Sequence, residues 1–205
     1  MSRTLWLVRH GHRHDFAHPE WFETALRPYD PPLSTQGHQQ AQRLATYFQT
    51  QTLDYIFCSP FLRAVQTAAP IAQSWQLPLH LEKGLGEWLN PHWLKTEPET
   101  EPIASIQRAW PHLNIYHQSL CQPHYPETAE QMQSRLRKTL EQLNQNYQGN
   151  FLLVGHSATV ASLLGQLCPH LPTTTVPVAS ITQLVEGDAG YWHCRQLVSL
   201  AHLSP

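Results

Sequence analysis

Charge is scarce in this sequence: Lys, Arg, Asp and Glu together make up 14% of 205 residues, and the formal net charge is −2. Without a basic excess there is no field to hold nucleic acid or an anionic membrane surface. Disorder is excluded as well, because it needs low hydrophobicity and high net charge, whereas 41% of these residues are apolar and seven are Trp. Cysteine is thin too. Cys58, Cys121, Cys168 and Cys194 stand far apart with no C-x-x-C pair, unlike a short, disulfide-dense secreted scaffold. No apolar run approaches the roughly 18 residues of a membrane span, and the opening MSRTLWLVRH is too short for a signal-peptide core. These absences set the expectation of a reduced, cytoplasmic chain with neither nucleic acid nor membrane as partner.

What is present reads as one domain over 1–205, large enough to bury a core without staples. Strand-like runs fall at 5–8, 54–58, 77–81 and 151–155, with further β-rich stretches at 179–186 and 191–198. Helical patterns lie between them at 35–49, 60–73, 128–147 and 158–167. Alternation of this kind predicts βαβ units, hence an α/β fold: a three-layer α/β/α sandwich on a mostly parallel central sheet. The last two β stretches, joined through Gly187-Asp188-Ala189-Gly190, read as an antiparallel hairpin at one edge. Ser59-Pro60 is expected to start one helix as N-cap and first residue, and Thr128 with Gln131 to form a capping box. Residues 86–127, rich in Pro, Trp, His and Glu, are expected to form an irregular insertion over the sheet.

Three segments leave strands carrying chemistry: Arg9-His10-Gly11, Ser59-Pro60-Phe61-Leu62-Arg63 and Gly155-His156-Ser157. Open α/β sheets bind ligands beyond the carboxyl ends of their strands. A charge-poor chain that gathers two guanidinium groups and two imidazoles there is most simply binding a phosphoryl group. The planar guanidinium fork matches phosphate oxygens in pairs, and imidazole can attack phosphorus or donate to its oxygens.

Five blocks in order carry a family likeness: Leu7-Val8-Arg9-His10-Gly11; Asp30-Pro31-Pro32-Leu33-Ser34 with Gly37 and Gln40-Ala41; Cys58-Ser59-Pro60 with Arg63 and Gln66-Thr67-Ala68; Gly84-Leu85-Gly86-Glu87-Trp88; and Val154-Gly155-His156-Ser157. Over nearly its whole length the chain resembles the histidine phosphatase superfamily, with its phosphoglycerate-mutase-like fold. Arg13 and Glu87-Trp88 are similar to the phosphatase domains of the suppressor-of-T-cell-receptor-signalling proteins. The resemblance implies His10 as nucleophile, Glu87 as proton donor, and Arg9, Arg63 and His156 around the phosphoryl oxygens, with Arg13 and Ser157 as further phosphate contacts. It implies no cofactor and no metal. The substrate would be a small-molecule or phosphopeptide phosphomonoester, and inorganic phosphate the product. Mutases of the superfamily usually carry an Asn after the Arg-His-Gly block, where this chain has His12-Arg13-His14-Asp15-Phe16, and this favours a phosphatase. A mutase, a dedicated metabolite phosphatase and an inactive phosphate-binding module remain the alternatives.

Blander readings stand beside these. Glu82 or Asp15 could serve as the acid in place of Glu87, and Arg13 could be a surface arginine paired with Asp15. The alternating His10, His12, His14 and His18 could hold a metal, though loop imidazoles at a pocket mouth are the simpler account. Trp21, Phe22, Trp88, Trp93 and Trp110 form either an aromatic wall or the insertion's own core. Glu127-Thr128 reads as a helix start, and Gly155 as a close backbone approach to phosphate or to a neighbouring helix. The oligomeric state is not readable.

Overall fold

The structure is a computed structural model and describes residues 2–204. Six strands form one sheet: β1 (Thr4–Arg9), β2 (Tyr55–Cys58), β3 (Leu79–Leu81), β4 (Phe151–Gly155), β5 (Ile181–Glu186) and β6 (Trp192–Ser199), in the order β3-β2-β4-β1-β5-β6. The first four are mutually parallel, β5 runs antiparallel to β1, and β6 pairs antiparallel with β5. The expected sandwich and its antiparallel edge are both present.

Seven α-helices accompany the sheet among the described residues: α1 (His14–Ala17), α2 (Trp21–Thr24), α3 (Thr35–Phe48), α4 (Leu62–Trp75), α5 (Ile103–Ala109), α6 (Ala129–Asn146) and α7 (Ser157–Leu167). Side chains alternate across a strand, so the central strands feed two cores. Trp6, Val8, Ile56, Leu152 and Val154 pack against Leu44 and Phe48 of α3 and Val65 and Ile71 of α4. Leu5, Leu7, Phe57, Phe151 and Leu153 pack against Leu136 and Leu140 of α6 and Val160 and Leu163 of α7. Helices on both faces leave the strand ends as the open place for a ligand. The region 86–127 is irregular apart from α5.

One local expectation is corrected. Helix α4 begins at Leu62 rather than Pro60, and Ser59 does not cap it; Leu62 N–H donates instead to Asp30 Oδ1 at 2.7 Å, a cap supplied from a distant loop. At Gly155, an added Cβ would meet Thr159 Cγ2 at 2.9 Å and the Leu85 carbonyl at 3.3 Å, so close packing explains the glycine. The Thr128–Gln131 capping box forms as expected.

Candidate active site

Sheet register brings the site together. Arg9 lies beside Gly155, Cys58 beside Val154, and Leu81 beside Cys58, so four parallel strands end level with one another. The residues just beyond those ends are His10, Ser59, Glu82 and His156, with Arg63 and Glu87 a few positions on.

His10 is buried, and its Nδ1 lies 2.8 Å from the Gly11 carbonyl. A carbonyl only accepts, so Nδ1 carries the proton and Nε2 keeps its lone pair. Burial, then the charges of Arg63, His156 and Arg9, hold His10 well below the ordinary imidazole range. The loop is fixed from behind: Gly11 N–H donates to Thr67 Oγ1 at 3.0 Å and His12 N–H to Gln40 Oε1 at 2.8 Å. Gly37 is obligatory here, since a Cβ on it would sit 2.1 Å from the His12 carbonyl oxygen. Gln40, Gln66 and Thr67 thus act as braces, with Leu33 N–H donating to Gln66 Oε1 at 2.6 Å.

His156 is fully buried, its ring centroid 5.3 Å from that of His10. Its Nε2 lies 2.8 Å from Ser59 Oγ, and that oxygen also accepts from Phe61 N–H at 3.3 Å. Nδ1 lies 3.2 Å from Glu87 Oε2 and 3.3 Å from a terminal nitrogen of Arg63. A carboxylate only accepts, so we assign the proton to Nδ1, facing Glu87, with the Ser59 hydroxyl donating to Nε2. Burial lowers His156 to about 4, with Glu87 opposing, so the ring is neutral at physiological pH. From sequence Ser59 is a helix cap and a member of a family block, with no contact to His156 expected of it; only the fold brings the two together.

Arg63 has 2% of its surface exposed. One terminal nitrogen donates to the Tyr29 carbonyl at 3.2 Å and lies 3.9 Å from Asp30 Oδ1; the other donates to Glu87 Oε2 at 3.4 Å. Burial lowers it to about 10, with Glu87 opposing, so it stays charged. Asp30, pushed up to about 6 by burial while Arg63 and the Leu62 amide pull the other way, also accepts from Glu101 N–H at 2.9 Å. Arg9 is anchored by a 2.6 Å bond to the Val176 carbonyl, and its buried Nε has no protein partner. An unpaired buried guanidinium N–H implies an acceptor that the protein itself does not provide.

Burial alone would raise the Glu87 carboxyl, but its contact with His156, the Arg63 charge and the nearby His10 hold it well below the carboxylate range. Glu82 does not compete for its place: it is wholly buried and accepts from Gly84 N–H, Leu120 N–H and His117 Nε2. Arg13 has the pairing expected of its plainer reading and also reaches the cleft. It pairs with buried Asp15, lies 4.5 Å over the Phe16 ring, and still lines the cleft. Ser157 is the first residue of α7, and among the described residues its hydroxyl makes no protein hydrogen bond.

The cleft, about 120 Å³, is lined by Arg13, Phe22, Tyr29, Arg63, Glu87 and Trp93, with Phe61, Trp88 and Leu94. The aromatic set therefore divides. Phe22, Trp88 and Trp93 face the cleft, whereas Trp21 donates to the Pro28 carbonyl and Trp110 packs on the core. Within the histidine tract, His12 contacts Ser34 Oγ at 2.9 Å, and His14 stacks on His18 with ring centroids 4.4 Å apart. Among the described residues no group of three or more His, Cys, Asp or Glu is arranged to hold a metal ion, and no helix is long and apolar enough to cross a membrane.

The family model described as "Histidine phosphatase superfamily (branch 1)" matches residues 5–199. The chain belongs to the histidine phosphatase superfamily. The transcription factor tau 55 kDa subunit of Saccharomyces cerevisiae is 28% identical over 172 residues, covering 78% of this chain and 40% of that protein. The ecdysteroid-phosphate phosphatase of Drosophila melanogaster is 24% identical over 238 residues, covering 93% of this chain and 31% of that one. The chain thus spans well under half the length of these two relatives. A solved ecdysone phosphate phosphatase from Bombix mori, in complex with tungstate, superposes with a TM-score of 0.70 at 17% identity, covering 95% of this chain and 92% of that one. That likeness shows the fold. The chain also shares its fold with a phosphoglycerate mutase structure from Bacillus anthracis, which superposes with a TM-score of 0.66 at 22% identity, covering 98% of this chain and 95% of that one.

Proposed function

We propose that the chain is a phosphomonoester hydrolase working through a phosphohistidine on His10. The observation that carries this reading is the His10 ring: its Nδ1–H is tied to the Gly11 carbonyl, and its unprotonated Nε2 lies within a ring of Arg9, Arg63 and His156. Nε2 attacks phosphorus as the P–O bond to the leaving group breaks. Arg9, Arg63 and the His156 Nδ1–H meet the charge on the equatorial oxygens, where preorganised donors act most strongly. Glu87 gives its proton to the departing oxygen. Glu87, now ionised, then takes a proton from water, whose oxygen attacks phosphorus, breaks the P–N bond and releases inorganic phosphate.

A bound phosphoryl group engages Arg63 and His156, the two groups that hold Glu87 ionised, and brings its own negative charge close. Both changes raise the Glu87 pKa in the complex, which supplies the acid form. Two guanidinium groups and an imidazole provide the electrophilic stabilisation, so no step calls for a metal. Phe22, Tyr29, Trp88, Trp93 and Leu94 favour a bulky, apolar leaving group, a small-molecule ester before a phosphopeptide. We read 1–205 as one domain with 86–127 over the site, in the reducing cytoplasm that its widely spaced cysteines suit. Hydrolysis of p-nitrophenyl phosphate in EDTA by wild type and His10→Ala tests this: loss in the mutant is expected, and equal activity in the two would overturn it.

A further inference from the structure

The loop that carries Glu87 has little regular structure, yet its backbone carbonyls are held at one point. Arg135 of α6, 6% exposed, donates to the carbonyls of Gly84 at 2.8 Å, Gly86 at 3.3 Å and Glu87 itself at 3.3 Å. Its remaining donors form a two-pronged pair with Glu127, Nε to Oε1 and a terminal nitrogen to Oε2, each at 2.7 Å. Glu127 completes the grip from the other side. Its Oε2 accepts from Leu89 N–H at 3.3 Å, its carbonyl accepts from Trp88 Nε1–H at 2.9 Å, and its N–H donates to the Leu89 carbonyl at 3.0 Å.

This is an expensive arrangement for mere stability. Buried ion pairs are often no better than apolar side chains of the same size, because desolvation offsets the attraction. What the pair offers is geometry: a fork with five fixed N–H directions holds three carbonyls of one short loop, those of Gly84, Gly86 and Glu87. Neither residue lines the Glu87 cleft.

We infer that the Arg135–Glu127 pair is a positioning clamp, which fixes the Glu87 carboxyl at the distance and angle needed to protonate the leaving group. The inference rests on Glu87 being the acid. A misplacement of about 1 Å at a reacting group costs on the order of a hundredfold in rate, and a leaving group that needs no proton does not feel it.

The test uses the full chain with the double variant Glu127→Leu/Arg135→Met, which removes the clamp without leaving a buried charge unpaired, and Glu87→Gln alongside. Turnover of an alkyl phosphate should fall about 10- to 100-fold in the double variant while that of p-nitrophenyl phosphate changes by less than about threefold, with KM near wild type. Tm should fall, because the Gly84 carbonyl and the Leu89 N–H lose their partners, but a loss of stability does not discriminate between the two substrates. Arg135→Lys keeps the charge but loses the fork, and should show the same selectivity at about tenfold; it gives the same comparison if the double variant does not fold. Equal losses on both substrates, or none, would overturn the clamp while a selective Glu87→Gln left the acid standing. A non-selective Glu87→Gln would overturn both.

Discussion

Ser59→Ala removes a single hydroxyl group, yet its effect should reach the reacting centre. The hydroxyl lies 2.8 Å from His156 Nε2 in a site with no solvent exposure at either residue. Its removal strands the Nε2 lone pair and the Phe61 N–H, which it accepts at 3.3 Å. Each buried group left without a partner costs about 1–3 kcal/mol. His156 can shed part of that cost only by moving its proton to Nε2, which turns the Nδ1 lone pair toward the Glu87 carboxylate 3.2 Å away and toward any phosphoryl oxygen. A neutral donor to a charged oxygen is worth about 1.5–3 kcal/mol, so partial loss of it should lower kcat roughly tenfold. KM should change little, because the bond strengthens as charge develops in the transition state. The assay is a double-mutant cycle with His156→Ala, read as kcat on p-nitrophenyl phosphate and as stability in urea. Once His156 is gone, the kinetic part of the Ser59 effect should vanish. If kcat of Ser59→Ala stays within twofold of wild type, or the Ser59 effect persists in the His156→Ala background, the tautomer argument fails.

The pH dependence follows from the free enzyme. Glu87 is ionised there, so the proton for the leaving group arrives on the substrate, whose second ionisation lies near about pH 6. For an alkyl phosphate, kcat/KM should fall roughly tenfold per pH unit above about pH 7. With His156 lowered to about 4 and His10 also held low, no acid limb should appear near the ordinary imidazole pKa; finding one would contradict the neutral His10. Asp30→Asn turns an amide donor toward either the Leu62 or the Glu101 N–H, and urea unfolding should show a loss of about 1–3 kcal/mol. Gly37→Ala sets a methyl 2.1 Å from the His12 carbonyl oxygen, so the His10 loop or α3 has to move; a variant with unchanged Tm and unchanged kcat would disprove the close fit.

Much of the fold was legible because its elements carry local signals. The continuous apolar runs of β1 and β4 match strands covered on both faces, and the helical patterns fall within two residues of α3, α4, α6 and α7 at every end. Arg9, His10, Arg63, Glu87 and His156 were legible as residue types leaving strands or lying in the family's blocks. Less legible was whatever depends on a partner distant in the chain. Asp30 caps α4 across a separation of 32 residues, and Ser59 reaches His156 across 97. Glu127 looked like the opening of a helix because Thr128 does cap one; the arginine that gives it another role comes eight residues later. The short helices α1 and α2 are four residues each, too short for a periodic pattern to register.

The central claim is a covalent bond from His10 Nε2 to phosphorus. Rapid quench into alkali, which preserves phosphohistidine, after mixing with a phosphate-labelled aryl ester tests it most directly. The account predicts one labelled histidine per chain within the first turnover, located at residue 10 by peptide mass spectrometry and absent in His10→Ala. Turnover with no trapped label under conditions that slow the second step, or a label on any other residue, would contradict it.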